Sequence, residues 1–232
     1  MAMDFQSIYA GRAADYERLV AREDHQRNLP RVLAGIGGMR AGLDIVELGA
    51  GTGRVTRLLA PHARRLIALD QSAHMLGLAA ALGGLDPCVL FAAADTLHVP
   101  LPATCADLVV EGWSFGHFNF WDSARWREAA ELSLTAMQRV LRPGGLAVLI
   151  ETLGTGSSEP QPPTPALGAF YRYLVDERGF EQTWVRTDYA FESLEEAVEL
   201  VGFFFGQDLA QRVQREQLRI LPECTGIWWR RF

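Results

Sequence analysis

Three glycines at alternate positions, Gly49, Gly51 and Gly53, interrupt an otherwise apolar run in "IVELGAGTGRVTRLLA", and Asp70 follows 21 residues after the first of them. Glycine lets a backbone turn tightly and come close to a ligand, and a helix starting near Gly53 aims unpaired N–H groups and a positive dipole end at that ligand. A carboxylate at the end of the next strand can accept both hydroxyls of a ribose. The pattern therefore suits a nucleoside carrying a small anionic arm. A dinucleotide fingerprint, GxGxxG, would require glycine where Arg54 stands. The bulky side chain argues against a pyrophosphate packed on the helix and favours a carboxylate.

The elements that must position these residues alternate along the chain. Apolar strand-like runs at 44–49, 64–70, 88–93, 106–112 and 145–151 are separated by helical stretches at 53–60, 72–82 and 122–141. Such alternation predicts a parallel sheet covered on both faces, built from right-handed crossovers. Residues 12–34 read as an amphipathic helical segment before the first strand. "RPGG" at 142–145 is expected to stop the long helix and turn the chain into the fifth strand. Beyond it, "GTGSSEPQPPTP" at 154–165 leaves the carboxyl end of a strand, where ligands bind in open α/β sheets, and reads as a substrate lid or as a plain connection. A helix at 166–178, a strand at 180–189, a helix capped by Ser193 and a final strand in "TGIWWRRF" complete the expectation.

Composition narrows the function. A chain of 232 residues that is 49% apolar suits one α/β domain. The formal charge of −6 argues against a nucleic-acid partner. The apolar runs are too short for a membrane span, so a cytoplasmic protein is expected. All 22 basic residues are Arg, which removes lysine Schiff-base and P-loop chemistry. Three widely spaced cysteines and five scattered histidines have no metal-ligand spacing, so no metal is invoked.

"VELGAGTGR", followed in order by "ALDQSAHML", "AADTLHVP", "ADLVVEGWSFGHF" and "LRPGGLAVLIE", resembles the class I S-adenosylmethionine-dependent methyltransferase family over residues 40–152. The resemblance implies a Rossmann-like, doubly wound sheet of seven strands in the order 3-2-1-4-5-7-6, the last antiparallel. It divides the chain into a helical cover over 1–40, a cofactor-binding core over 41–152 and a substrate-side region over 153–232. It implies S-adenosyl-L-methionine as cofactor and S-adenosyl-L-homocysteine as product. Glu47, Gly49, Ala50, Gly51 and Gly53 would surround the methionine end, Asp70 the ribose, and Gln71, Met75, Asp95, Thr96 and Leu97 the adenine. Glu111, at the end of the fourth strand, joins this set.

Methyl transfer is an in-line displacement that needs alignment, exclusion of water and, for some acceptors, a base. The segment "EGWSFGHFNFW" at 111–121 leaves the fourth strand over the expected methyl position and places aromatic walls there, with Trp113 and Phe115 as candidates. His117, with its near-neutral reference pKa, is the first candidate base and His98 the second. Tyr16, with Tyr9, lies in the segment that covers the cofactor in many small-molecule members of the family, and is added to the acceptor-binding candidates. "EGWS" stands where base-amine methyltransferases carry [DN]PP[YF]. A small, apolar or aromatic metabolite is the expected acceptor, and the chain is expected to be a monomer or homodimer. A catalytically silent S-adenosylmethionine-binding module and an RNA or protein methyltransferase are the alternative readings.

Overall fold

The computed structural model describes residues 5–36, 39–85, 87–118 and 125–232. In chain order the strands are β1 (Leu43–Leu48), β2 (Ala63–Asp70), β3 (Val89–Ala93), β4 (Ala106–Gly112), β5 (Leu141–Thr155), β6 (Glu181–Arg186), β7 (Tyr189–Ala190), β8 (Ile220–Leu221) and β9 (Glu223–Arg231). The helices are α1 (Phe5–Gly11), α2 (Ala13–Val20), α3 (Asn28–Gly35), α4 (Arg54–Leu59), α5 (Ala73–Ala81), α6 (Trp126–Val140), α7 (Pro165–Arg172), α8 (Leu194–Phe204) and α9 (Gln207–Glu216). Seven strands form one sheet in the order β3-β2-β1-β4-β5-β9-β6. The first five are parallel, and β9 runs antiparallel between β5 and β6. This is the doubly wound topology expected from the sequence, with β9 as its last strand. No helix among the described residues is long and apolar enough to cross a membrane.

Both faces of the sheet are buried at its central strands, as their near-continuous apolar sequences require. Every residue of β1 is buried. Alternate residues serve opposite sides: Val46 and Leu48 join the core under α6 and α7, while Leu43 and Ile45 join the one under α3 and α4. A third apolar cluster ties α2 to α8 and α9 through Leu19, Leu200 and Val213. The carboxyl ends of β1, β2 and β4 consequently lie side by side beneath α1 and α2. Ser72 Oγ fixes that cover by donating to the Tyr9 carbonyl at 2.7 Å.

Several expectations are corrected in detail. The segment 12–34 is two helices, because Asp24 and Arg27 adopt left-handed backbone and the Asp24 carboxylate caps α3 by accepting from the Asn28 and Leu29 N–H groups at 2.7 and 3.0 Å. "RPGG" does not separate α6 from the fifth strand. Strand β5 begins at Leu141, and the four residues form a bulge, with Ala106 opposite Leu141 and then Leu108 opposite Leu146. The stretch read as one strand at 180–189 divides at Thr187, where β6 leaves the main sheet and Tyr189 enters a small sheet with Leu221. Residues 154–165 are anchored through the Gln161 N–H to the Leu153 carbonyl at 2.6 Å and the Gly156 N–H to the Pro222 carbonyl at 2.7 Å.

Candidate functional site

The chain turns off β1 through Gly49 and Gly51, both at positive φ (+72° and +55°), a region that costs a side-chain-bearing residue energy. The Ala50 N–H donates to the Leu69 carbonyl at 2.9 Å and ties the turn to β2. Asp70, at the end of β2, accepts from the Gly51 N–H through Oδ2 and from the Ser72 N–H through Oδ1, each at 2.8 Å. Each oxygen keeps further acceptor capacity for a ligand. Burial raises the Asp70 pKa, and the two backbone donors oppose that rise.

A cavity of about 370 Å³ opens over this turn, lined by Gly49, Gly51, Asp70, Gln71, Met75 and Thr96 on one side and Tyr9, Tyr16, Trp113, Ser114 and His117 on the other. Gln71, Thr96 and Phe118 continue into a second cavity of about 280 Å³ that also takes in Asp95 and Leu97. A third, of about 200 Å³, shares Tyr9, Tyr16, Trp113 and His117 with the first and is also walled by rings from Phe5, Tyr189, Phe204 and Phe205 and by the polar groups of Glu23, Arg54, Glu151 and Glu223. A polar crevice thus lies against an aromatic chamber, with four side chains lining both.

Four of the residues expected to hold the cofactor lie elsewhere. Glu47 is buried beneath the turn and accepts from Thr56 Oγ1 at 2.6 Å. Ala50 and Gly53 shape the turn and the start of α4 without lining a cavity; the Gly53 N–H donates to the Ala50 carbonyl at 2.9 Å. Glu111 lies inside the core and accepts from the Ser114 and Phe115 N–H groups at 2.5 and 3.0 Å. Those bonds hold the turn that carries Trp113 and His117. Phe115, expected as a wall, is wholly buried and stacks on Phe118, because left-handed backbone at Trp113 (φ 54°) reverses the side to which the following residues point. His98 is exposed at the rim against Asp95, at 3.1 Å, and lines none of the three cavities.

Tyr16, Trp113 and His117 come together as the sequence expects. Between them stands Tyr9, whose hydroxyl is 3.0 Å from His117 Nε2. Burial pushes the His117 pKa down to about 4, so its ring is neutral at pH 7. Ser114 was not among the expected residues. Its hydroxyl lines the first cavity beside Gly49 and, among the described residues, is buried without a hydrogen-bond partner. Arg54 also turns out to be a site residue: its guanidinium lies 3.3 Å from the centre of the Trp113 ring, pairs with Glu23 and faces the aromatic chamber.

The buried carboxyls give the ligand-free protein a predicted pH response. Burial lifts Glu47 and Glu223 to about 8 and Glu111 to about 7, against an ordinary value of 4.5. Groups raised in this way stabilise the fold fully below the unfolded pKa and lose that contribution as pH rises through the folded one. The depressed His117 works oppositely, its contribution being lost as pH falls from 6.5 through about 4. Between pH 6.5 and 8.5 the glutamates decide the sign. Melting temperature should fall over that interval, with each group worth at most about 1.4 kcal/mol per pH unit. Glu47→Gln should flatten the slope, and a level profile from calorimetry at both ends would count against the assignment.

The fold and this crevice define a doubly wound α/β protein with a polar crevice at the carboxyl ends of its strands and an aromatic chamber beside it. Residues 46–149 match the methyltransferase domain family. Malonyl-[acyl-carrier protein] O-methyltransferases of Yersinia pestis and Serratia marcescens are each 28% identical to the chain, over 67% and 65% of its length respectively. The chain spans about half of those relatives, 53% in both cases. Among solved structures, a DhpI–SAH complex superposes with a TM-score of 0.60 at 20% identity, covering 97% of this chain and 94% of the other. A Haemonchus contortus N-methyltransferase in complex with S-adenosylhomocysteine gives 0.59 at 14% identity, over 94% and 56%. Over residues 46–149 the chain is thus similar to a methyltransferase domain, and its fold is the one these solved structures share.

Proposed function

We propose that the chain transfers a methyl group from S-adenosylmethionine to a small acceptor held in the aromatic chamber. The residues present fit the donor. Bare glycine backbone and the buried Ser114 hydroxyl suit a polar amino-acid tail, Asp70 suits a ribose diol, and Gln71, Thr96 and Leu97 suit a planar base. When bound, the donor supplies an electrophilic methyl on a sulfonium.

The observation that carries the reading is the wall of Tyr9, Tyr16, Trp113 and His117 shared by crevice and chamber. Those side chains exclude water and fix the approach of an acceptor, which is most of what an in-line displacement needs. His117 is neutral and hydrogen-bonded to Tyr9, so it can orient an acceptor. Its depressed pKa makes it a weak base, and its part is better described as positioning. The acceptor in the names of the bacterial relatives is not carried over, since the chain spans only half of them.

The test is calorimetric titration with S-adenosylhomocysteine, followed by incubation with methyl-labelled S-adenosylmethionine and a panel of small aromatic and aliphatic acceptors. Micromolar binding and label on one acceptor class are expected. Absence of any binding heat, with a nucleoside-free protein shown to be folded, would remove the reading.

A further inference from the structure

We infer that the acceptor is an amine, held with its nitrogen against Glu223 in the wall of the aromatic chamber, and that the protein is an N-methyltransferase. The inference rests on the methyl-transfer reading above and specifies its acceptor atom.

Glu223 opens β9 and lines the chamber at 2% exposure. Its Oε1 accepts from Thr152 Oγ1 at 2.8 Å, while Oε2 has no hydrogen-bond partner among the described residues. A buried carboxylate oxygen without a donor is costly, and a ligand N–H would satisfy it. Glu151, from β5, lines the same chamber at 3% exposure. The nearest cation, Arg54, opposes the rise in the Glu223 pKa only in part. Arg54 is paired with Glu23, which also accepts from Tyr189 Oη at 2.8 Å and Thr187 Oγ1 at 3.1 Å. Arg54 Nη2 is left as a spare donor among the described residues.

Charge movement during transfer separates the acceptor classes. With a carboxylate acceptor, a negative charge enters the chamber and is consumed by the sulfonium. Here that anion would enter surroundings that, through burial and neighbouring carboxylates, already hold the Glu151 and Glu223 carboxyls from ionising. With an amine, charge moves the other way. An ammonium entering the chamber gives one proton to the Glu223 carboxylate and becomes the neutral amine. The nitrogen lone pair then forms the C–N bond as the C–S bond breaks, and the sulfur keeps that electron pair as a neutral thioether. The positive charge ends on the methylated nitrogen, against the faces of Tyr16 and Phe204, whose ring centres are 5.4 Å apart, and the displaced proton stays on Glu223. A carboxyl raised to about 8 matches such a proton exchange near neutral pH, whereas His117 at about 4 does not.

The test uses three probes on one scaffold, 2-phenylethylamine, 4-ethylphenol and 3-phenylpropanoate, with the whole chain saturated by S-adenosylhomocysteine. Calorimetry should show binding of the amine at least tenfold tighter than of the carboxylate. Glu223→Gln should weaken the amine at least tenfold while leaving S-adenosylhomocysteine affinity within twofold, which also shows that the variant is folded. Labelled S-adenosylmethionine should mark the amine. If Glu223→Gln loses the nucleoside as well, Glu151→Gln serves as the second variant, with the same tenfold loss expected. Tighter binding or labelling of the carboxylate, abolished by Arg54→Gln, would overturn the inference, as would labelling of the phenol alone or an amine affinity untouched by both glutamine variants. Failure of S-adenosylhomocysteine to bind the unaltered chain would instead defeat the underlying methyl-transfer reading.

Discussion

Asp70→Ala is expected to weaken S-adenosylhomocysteine binding by about 100-fold, because one carboxylate performs two tasks. It holds the turn, through the Gly51 and Ser72 N–H groups at 2.8 Å each, and it offers remaining lone pairs to the ribose hydroxyls. Losing charge-assisted hydrogen bonds to a ligand costs about 1.5–3 kcal/mol, roughly 10- to 100-fold in affinity, and a loosened turn adds to it. Asp70→Asn should be nearly as damaging. An amide has one acceptor oxygen, so its NH₂ would face a backbone N–H on the other side. Since burial raises the Asp70 pKa, affinity should also begin to fall at a higher pH than an exposed aspartate would impose. Calorimetry on folded variants reads both effects, and a loss below threefold for Asp70→Ala would place the ribose elsewhere.

The contrast between Asp70 and Glu223 shows which parts of the site the sequence discloses. Asp70 is legible because it ends a strand at a fixed distance from a glycine turn, so spacing alone positions it. The same local logic makes the five parallel strands, Gly49 and Gly51 readable, while Gln71, Met75 and Thr96 come from the family resemblance. The chamber has no such signature. Tyr16, Glu23, Trp113, Phe204 and Glu223 come from α2, the loop after it, the turn after β4, α8 and β9, and only the packing of α1, α2 and α8 over the sheet brings them together. Arg54 illustrates the difference. In the sequence it is only a bulky residue where a fingerprint glycine is missing; in the fold it lies against Trp113 and defines the polarity of the chamber. Phe115 shows the reverse error, since counting aromatics in a loop says nothing about the left-handed residue that turns one of them inward.

Gly49→Ala should be the most damaging single methyl group in the cofactor crevice. A Cβ at this position would lie 2.5 Å from the Ser114 Cβ and closer still to its hydroxyl, and the backbone φ of +72° is itself unfavourable for alanine. Left-handed backbone costs a non-glycine residue about 1–3 kcal/mol, and overpacking adds about 1–3 kcal/mol. Their sum corresponds to a melting-temperature decrease of roughly 5–15 °C in a chain of this size. Nucleoside affinity should fall with stability, because the turn that must shift is the wall on which the ligand rests. The two costs separate experimentally. Ser114→Gly in the Gly49→Ala background removes the steric conflict and leaves the φ penalty, so it should restore about half of the lost stability. Full restoration would mean that the backbone bears no strain there, and none would mean that Ser114 is not what the new methyl meets. Either extreme would show that the crevice is shaped by something other than the close approach of the β1 and β4 turns.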